Sequence, residues 1–226
     1  MPFLFLAGIH PIPMTESTAP IVVTFPVGPL QCNCTIIGDP ISKKALVIDP
    51  GGDAKLILAK LTELTLTVVA IIHTHAHLDH ILAAGEIKQA TGAPIHLNRE
   101  DMFLWDGVAQ QCLMFGVPQI SLPKPDGYLT DEHDLGCCDG VALHTPGHTP
   151  GSTSFWFAPA RTLIAGDTLF RGGIGRTDFP GGDYNQIVKS IRQRLYALDD
   201  DVAVVTGHGP GTTIGTEKRS NMFVRA

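Results

Sequence analysis

The amino-acid sequence predicts a single layered α/β domain. Short apolar runs of strand type alternate along the chain with stretches of helical period, and glycine, proline or aspartate marks most of the junctions. The stretch HTHAHLDH, His73 to His80, follows directly on one such run and opens a helical one. Side chains gathered at strand ends are where open α/β sheets place their chemistry.

The pattern begins near Ile21. IVVTFPV and CTIIGD read as strands, and DPISKK as a polar turn before the strand ALVIDP. GGDAKLILAKLTEL reads as a helix with Asp53 suited to its N-cap and Leu56, Leu58, Leu61 and Leu64 recurring at near-helical spacing. LTVVAIIH is a buried strand, LDHILAAGEIKQATG a helix closed by Gly92, and APIHL another strand. Residues 98–135 hold Pro118, Pro123 and Pro125 and read as a helical insertion with a loop. Strands resume at VALHTPG, STSFWFA and RTLIAGD, followed by the glycine-rich loop RGGIGRTDFPGGD. A helix from Asp183 to Leu198 carries Ile187, Ile191, Leu195 and Leu198 on one stripe. The strand DVAVVTGHG and a helix near Thr213 to Phe223 complete the pattern.

These elements assign residues 21–226 to the domain and residues 1–20 to a poorly ordered N-terminal extension, with Met14 as an alternative start. The extension lacks a basic region before its apolar start and is too short and proline-broken to span a bilayer. With 44% hydrophobic residues in 226, the chain can bury a core without staples. A net charge of −6, with only 16 Lys and Arg and no basic run, argues against nucleic acid and anionic membranes as partners. Five cysteines, an odd number with two adjacent, do not make a disulfide framework and fit free thiols in a reducing cytoplasm.

Four imidazoles and a carboxylate within eight residues gain little from packing together, so a metal is expected to hold them. His75 and His77, two apart in a turn, can converge on one point, while Asp79 and His80 can reach a second. Imidazole and carboxylate suit zinc, iron or manganese. Further ligands must come from elsewhere. His148, Asp167 and His208 each end or follow a strand beside a glycine that lets the backbone turn tightly. His73 and His144 are expected to pack behind the ligands or hydrogen-bond them, and His10, His96 and His133 to be surface or structural.

THAHLDH, PGHTPGS, AGDTLF and GHG, in this order, resemble the metallo-β-lactamase superfamily from Ile21 onward. GDTLFRGGIGRTDFPGGD is similar to its glyoxalase II (hydroxyacylglutathione hydrolase) branch, and the ending TGHGPGTTIGTEKRSNMF to the short single-domain, YcbL-type members. That resemblance implies a four-layer αββα sandwich. It implies a first metal on His75, His77 and His148, a second on Asp79, His80 and His208, and Asp167 bridging them. Two divalent ions, zinc first among the candidates, would lower the pKa of a shared water toward about 7. Asp79 would orient that nucleophile toward an acyl carbonyl. The implied substrate is a thioester, S-D-lactoylglutathione or a related hydroxyacylglutathione, whose thiolate (pKa about 8.5) leaves without help from a general acid. Arg171 and Arg176 are candidates for a substrate carboxylate. One departure stands out: 18 residues follow His208, too few for the helical domain that supplies glutathione contacts in full-length glyoxalase II.

Rival chemistries share the frame. A persulfide dioxygenase resembles the chain in GRTDF and would use one iron at His75, His148 and Asp167. A lactonase shares the ligand set. Many true β-lactamases place a cysteine in the second-metal set, where this chain offers Asp167. No Gly-x-Ser-x-Gly elbow surrounds Ser152, so a serine nucleophile is not expected.

Overall fold

The computed structural model describes residues 19–225, so the expected extension lies, apart from Ala19 and Pro20, outside the described residues. Six strands form the first sheet in chain order: β1 (Ile21–Val27), β2 (Cys32–Gly38), β3 (Lys44–Ile48), β4 (Thr67–Ile72), β5 (Ile95–Asn98) and β6 (Gly127–Leu129). β1 to β3 are antiparallel neighbours, and β3 to β6 run parallel. Parallel neighbours need crossovers, supplied by α1 (Ala54–Glu63), by α2 (Leu78–Ile81) with α3 (Ala84–Thr91), and by α4 (Met102–Asp106) with α5 (Val108–Phe115). Three successive crossovers of one hand, stepping in one direction, put every helix on the same face. The other face is left for a second sheet.

That sheet has the order β13-β12-β9-β8-β7, built from β7 (Gly140–His144), β8 (Thr153–Phe157), β9 (Thr162–Gly166), β12 (Ala203–Thr206) and β13 (Thr212–Thr213). A small hairpin, β10 (Leu169–Phe170) and β11 (Gly173–Ile174), leaves the end of β9. The parallel β9–β12 pair is bridged by α6 (Tyr184–Ser190), which continues as a π turn over Ile191–Leu195, and α7 (Ile214–Ser220) follows β13.

Continuous apolar strands are explained by this layering. In β3, Ala45 and Val47 face the helices with Ile57, Leu61 and Ile87, while Leu46 and Ile48 face the second sheet with Phe155, Phe157 and Ile164. A third core joins the outer face of the second sheet to Ile187, Ile191 and Leu195. Helix, sheet, sheet, helix is the four-layer αββα sandwich that the resemblance implied.

Local details differ from expectation. The buried face of α1 is Ala54, Ile57 and Leu61, whereas Leu56 is 43% exposed, because the sheet lies under the branched Ile57. Asp53 occupies the N-cap position with left-handed φ, but its carboxylate accepts from the Gly28 amide (2.8 Å) and caps nothing. The stretch after the histidines is two helices, broken where Ala83 N donates to Pro50 O (2.9 Å). β6, inside the segment read as helix and loop, is three residues long, too short for alternation to register. The last helix stops at Ser220, short of Phe223.

Candidate metal centre

Asp49, the His73–His80 loop, His148, Asp167 and His208 follow the ends of β3, β4, β7, β9 and β12 or sit in the loop just beyond, so one edge of the sandwich gathers them all. His75, His77 and His148 can each turn a ring nitrogen to within 4.8 Å of the others, as can the atoms of Asp79, His80 and His208. Asp167 lies between the groups, with Oδ2 3.7 Å from His148 Nε2 and Oδ1 3.4 Å from His80 Nε2 and 3.9 Å from His208 Nε2. Asp79 Oδ2 is 3.0 Å from His208 Nε2 and 3.8 Å from His80 Nε2. All seven residues singled out by the sequence are therefore brought together.

The hydrogen bonds behind the rings decide which lone pairs face inward. His148 Nδ1 donates to Arg176 O (2.7 Å), His208 Nδ1 to Leu30 O (3.1 Å) and His80 Nδ1 to Asp49 Oδ2 (3.0 Å). Thr74 Oγ1 donates to Asp49 Oδ2 (2.6 Å) and so accepts from His75 Nδ1 (3.1 Å). Each of these four rings spends its Nδ1–H outward, which fixes the ring orientation and turns Nε2 toward the centre. His75 Nε2, His80 Nε2 and Asp167 Oδ1 are buried without a hydrogen-bond partner. His148 Nε2 also stands 2.9 Å from His77 Nδ1. That contact is a hydrogen bond, but buried polar atoms left without partners are costly unless a cation satisfies them, so the remaining donor set fits divalent metal.

The local electrostatics follow from the crowding. Burial and the neighbouring imidazoles hold His75 well below the ordinary range and push His77 down to about 3. Burial also opposes charge on His80, but Cys32, Asp79, Asp49 and Asp167 outweigh it and raise this imidazole well above its usual value. Asp79 and Asp167 are held low, because the adjacent imidazoles, His80 foremost, overcome the effect of burial.

Several residues of this framework were not singled out from the sequence. Asp49 binds the Thr74 amide (2.8 Å) and hydroxyl and thereby steers both His75 and His80, with Cys32 Sγ 3.4 Å from the same His80 nitrogen. Buried Asp101 accepts from Ala76 N (3.0 Å), Thr149 Oγ1 (2.8 Å) and Gly151 N (2.7 Å), tying the two histidine loops together. Gln111 clamps the Ala76 carbonyl and the Leu78 amide. His73 Nδ1 donates to His80 O (3.0 Å), a supporting place as expected. His144 touches no ligand; its Nε2 donates to Pro150 O (2.8 Å) and steadies the loop after His148.

Gly51 shows how tight the packing is, since a Cβ there would stand 1.5 Å from Asp79 O. Gly51→Ala is expected to displace the Asp79 loop, lowering unfolding free energy by about 1–3 kcal/mol and reducing bound metal. A urea midpoint and metal content equal to wild type would contradict this.

A cavity of about 130 Å³ opens over the cluster, lined by His77, Asp79, His148 and Asp167 on its floor and by Leu30, Leu78, Phe115 and Phe179 on its walls. Arg176 is at its rim, paired through two bonds to Asp178 (2.7 and 2.6 Å) and stacked on Phe179 (3.7 Å to the ring centre). Arg171 is exposed and does not line the cavity. No helix among the described residues is long and apolar enough to cross a membrane.

An αββα sandwich with a histidine–aspartate cluster at its strand ends is the frame of a metal-dependent enzyme, and the relatives place it among the metallo-hydrolases. The family model described as the Metallo-beta-lactamase superfamily matches residues 27–208, and the chain belongs to that superfamily. It is 43% identical over 205 residues to the hydroxyacylglutathione hydrolase GloC of Haemophilus influenzae, covering 89% of this chain and 96% of the relative. Among solved structures it resembles the BLEG-1 B3 metallo-beta-lactamase (TM-score 0.84, 35% identity, 91% of this chain and 100% of that one). It also resembles TTHA1623 in a di-iron-bound form (TM-score 0.83, 34% identity, 90% and 100%).

Proposed function

We propose that this metallo-hydrolase cleaves a thioester, S-D-lactoylglutathione or a related hydroxyacylglutathione. In this reading His75, His77 and His148 would hold one divalent ion and Asp79, His80 and His208 another, with Asp167 offering a carboxylate to both. The observation that carries the reading is that His75 Nε2, His80 Nε2 and Asp167 Oδ1 are buried without a partner, while the other nitrogens of the two rings are already tied to Thr74 and Asp49. The name borne by the Haemophilus influenzae relative supports the substrate class.

Bound divalent ions supply a water acidified to near neutrality and Lewis-acid stabilisation of an oxyanion. The chain does the rest. Asp79 is on the cavity floor with its carboxylate ionised, placed to accept a hydrogen bond from the attacking water and aim it. Leu30, Leu78, Phe115 and Phe179 exclude bulk water and seat the acyl group. A lactoyl group suits a cavity of about 130 Å³, with the thiol portion extending across the rim. Of the two candidate arginines, only Arg176 lines the cavity, and it would meet a substrate carboxylate by exchanging its Asp178 partner.

The test is turnover of thioesters, lactones and β-lactams by metal-analysed protein, with oxygen uptake on glutathione persulfide as a further arm. Lactoylglutathione is expected to be hydrolysed with two metal ions per chain. Zinc is the expected metal; the di-iron neighbour supports iron, and manganese suits the same ligands. Turnover of a lactone or β-lactam alone would replace the substrate, and oxygen uptake with a single iron would replace the reaction.

A further inference from the structure

The two adjacent cysteines lie outside everything described so far. Successive side chains of an extended strand point to opposite faces and cannot meet. Here the chain turns instead: Gly140 N donates to Cys137 O (3.0 Å), and the two residues between, Cys138 and Asp139, both have left-handed φ (56 and 50). Tight turns of that kind ordinarily carry glycine, asparagine or aspartate. With a cysteine in the first of those positions, Cys137 Sγ and Cys138 Sγ stand 3.3 Å apart. Cys137 Sγ donates to Lys44 O (3.5 Å), which pins its side chain at the start of β3. Asp49, behind the histidine cluster, follows the other end of that strand. Five residues at about 3.3 Å each therefore separate the thiols from the cluster by roughly 15 Å.

We propose that Cys137 and Cys138 are a modification site, a dithiol that closes reversibly to a vicinal disulfide. Forming a bond of about 2.05 Å requires the sulfurs to approach by little more than 1 Å. The other cysteines do not compete, since Cys32, Cys34 and Cys112 are fully buried whereas Cys138 is half-buried. A hydrogen bond from Cys138 also pulls the Cys137 thiol below its ordinary value, and the thiolate is the reactive form. The oxidant is a low-molecular-weight disulfide. One protein thiol loses its proton and displaces the first thiolate from it; the second then attacks the mixed disulfide and displaces the other. Two protein thiols and one small disulfide become one protein disulfide and two small thiols, with two electrons passing to the oxidant.

The experiment exposes the metal-loaded full chain to glutathione disulfide, unfolds it, alkylates the free thiols and maps them by mass spectrometry. Alkylatable cysteines are expected to fall from five to three, the missing pair mapping to Cys137 and Cys138 and returning on reduction. Cys137→Ser and Cys138→Ser should each trap a mixed disulfide on the remaining thiol, while thioester turnover stays at the wild-type rate. Retention of five alkylatable thiols, loss of Cys32 and Cys34 instead, or a stable mixed disulfide on wild-type Cys138 would each overturn the proposal.

Discussion

Asp167→Asn is expected to lower kcat/KM for thioester hydrolysis by about a thousandfold, roughly 4 kcal/mol of transition-state stabilisation, and to leave less than the full metal complement bound. The two Asp167 oxygens face different imidazole groups, Oδ2 toward His148 and Oδ1 toward His80 and His208. Oδ1 is buried with no hydrogen-bond partner. Asparagine keeps the shape but removes the charge, and its amide presents N–H groups to a position that calls for a lone pair. Mass-spectrometric metal analysis with steady-state kinetics reads both effects. Wild-type turnover with an unchanged metal content would end the two-metal reading.

The second large effect is expected at a residue that touches no substrate. Asp49→Asn should weaken metal affinity by about 10–100-fold, as losses of ligand-orienting carboxylates do. One Asp49 carboxylate takes the Thr74 amide, the Thr74 hydroxyl and the His80 Nδ1–H. An asparagine cannot accept from all three, so at least one ring loses its tether. Asp49 also has left-handed φ (51), which asparagine tolerates, so the backbone should survive the change. Competition against a graded chelator measures the affinity, and far-UV circular dichroism checks the fold. An unchanged affinity would show that His75 and His80 are oriented by packing alone.

The contrast between these two residues shows what was readable in the chain. Asp167 stood out because it ends an apolar run beside a glycine, as His148 and His208 have glycine beside them. Asp49 ends such a run too, in ALVIDP, but a carboxylate before proline and glycine reads equally well as a turn. Asp101 and Gln111 gave no local sign at all. Most of their partners are 25 to 50 residues away along the chain: Ala76 and Leu78 are in a neighbouring connection of the first sheet, and Thr149 and Gly151 are in a loop that arrives only when the second sheet stacks. The packing of α1 shows a related limit: Leu58, Leu61 and Leu64 of the four leucines pack on the core, but Leu56 is exposed, and only the position of the sheet selects Ile57.

By itself, then, the sequence determined the alternation of strand and helix, the family and the seven residues that could hold metal, because each of these depends on residue type and near-neighbour spacing. The tertiary structure alone decided which nitrogen of each imidazole faces inward, that Arg176 is engaged by Asp178, and that two adjacent thiols face each other. The inward nitrogens depend on hydrogen-bond partners brought in from distant segments, whereas the Arg176–Asp178 pair and the cysteine turn are local in sequence but depend on backbone conformation, which residue type alone does not specify.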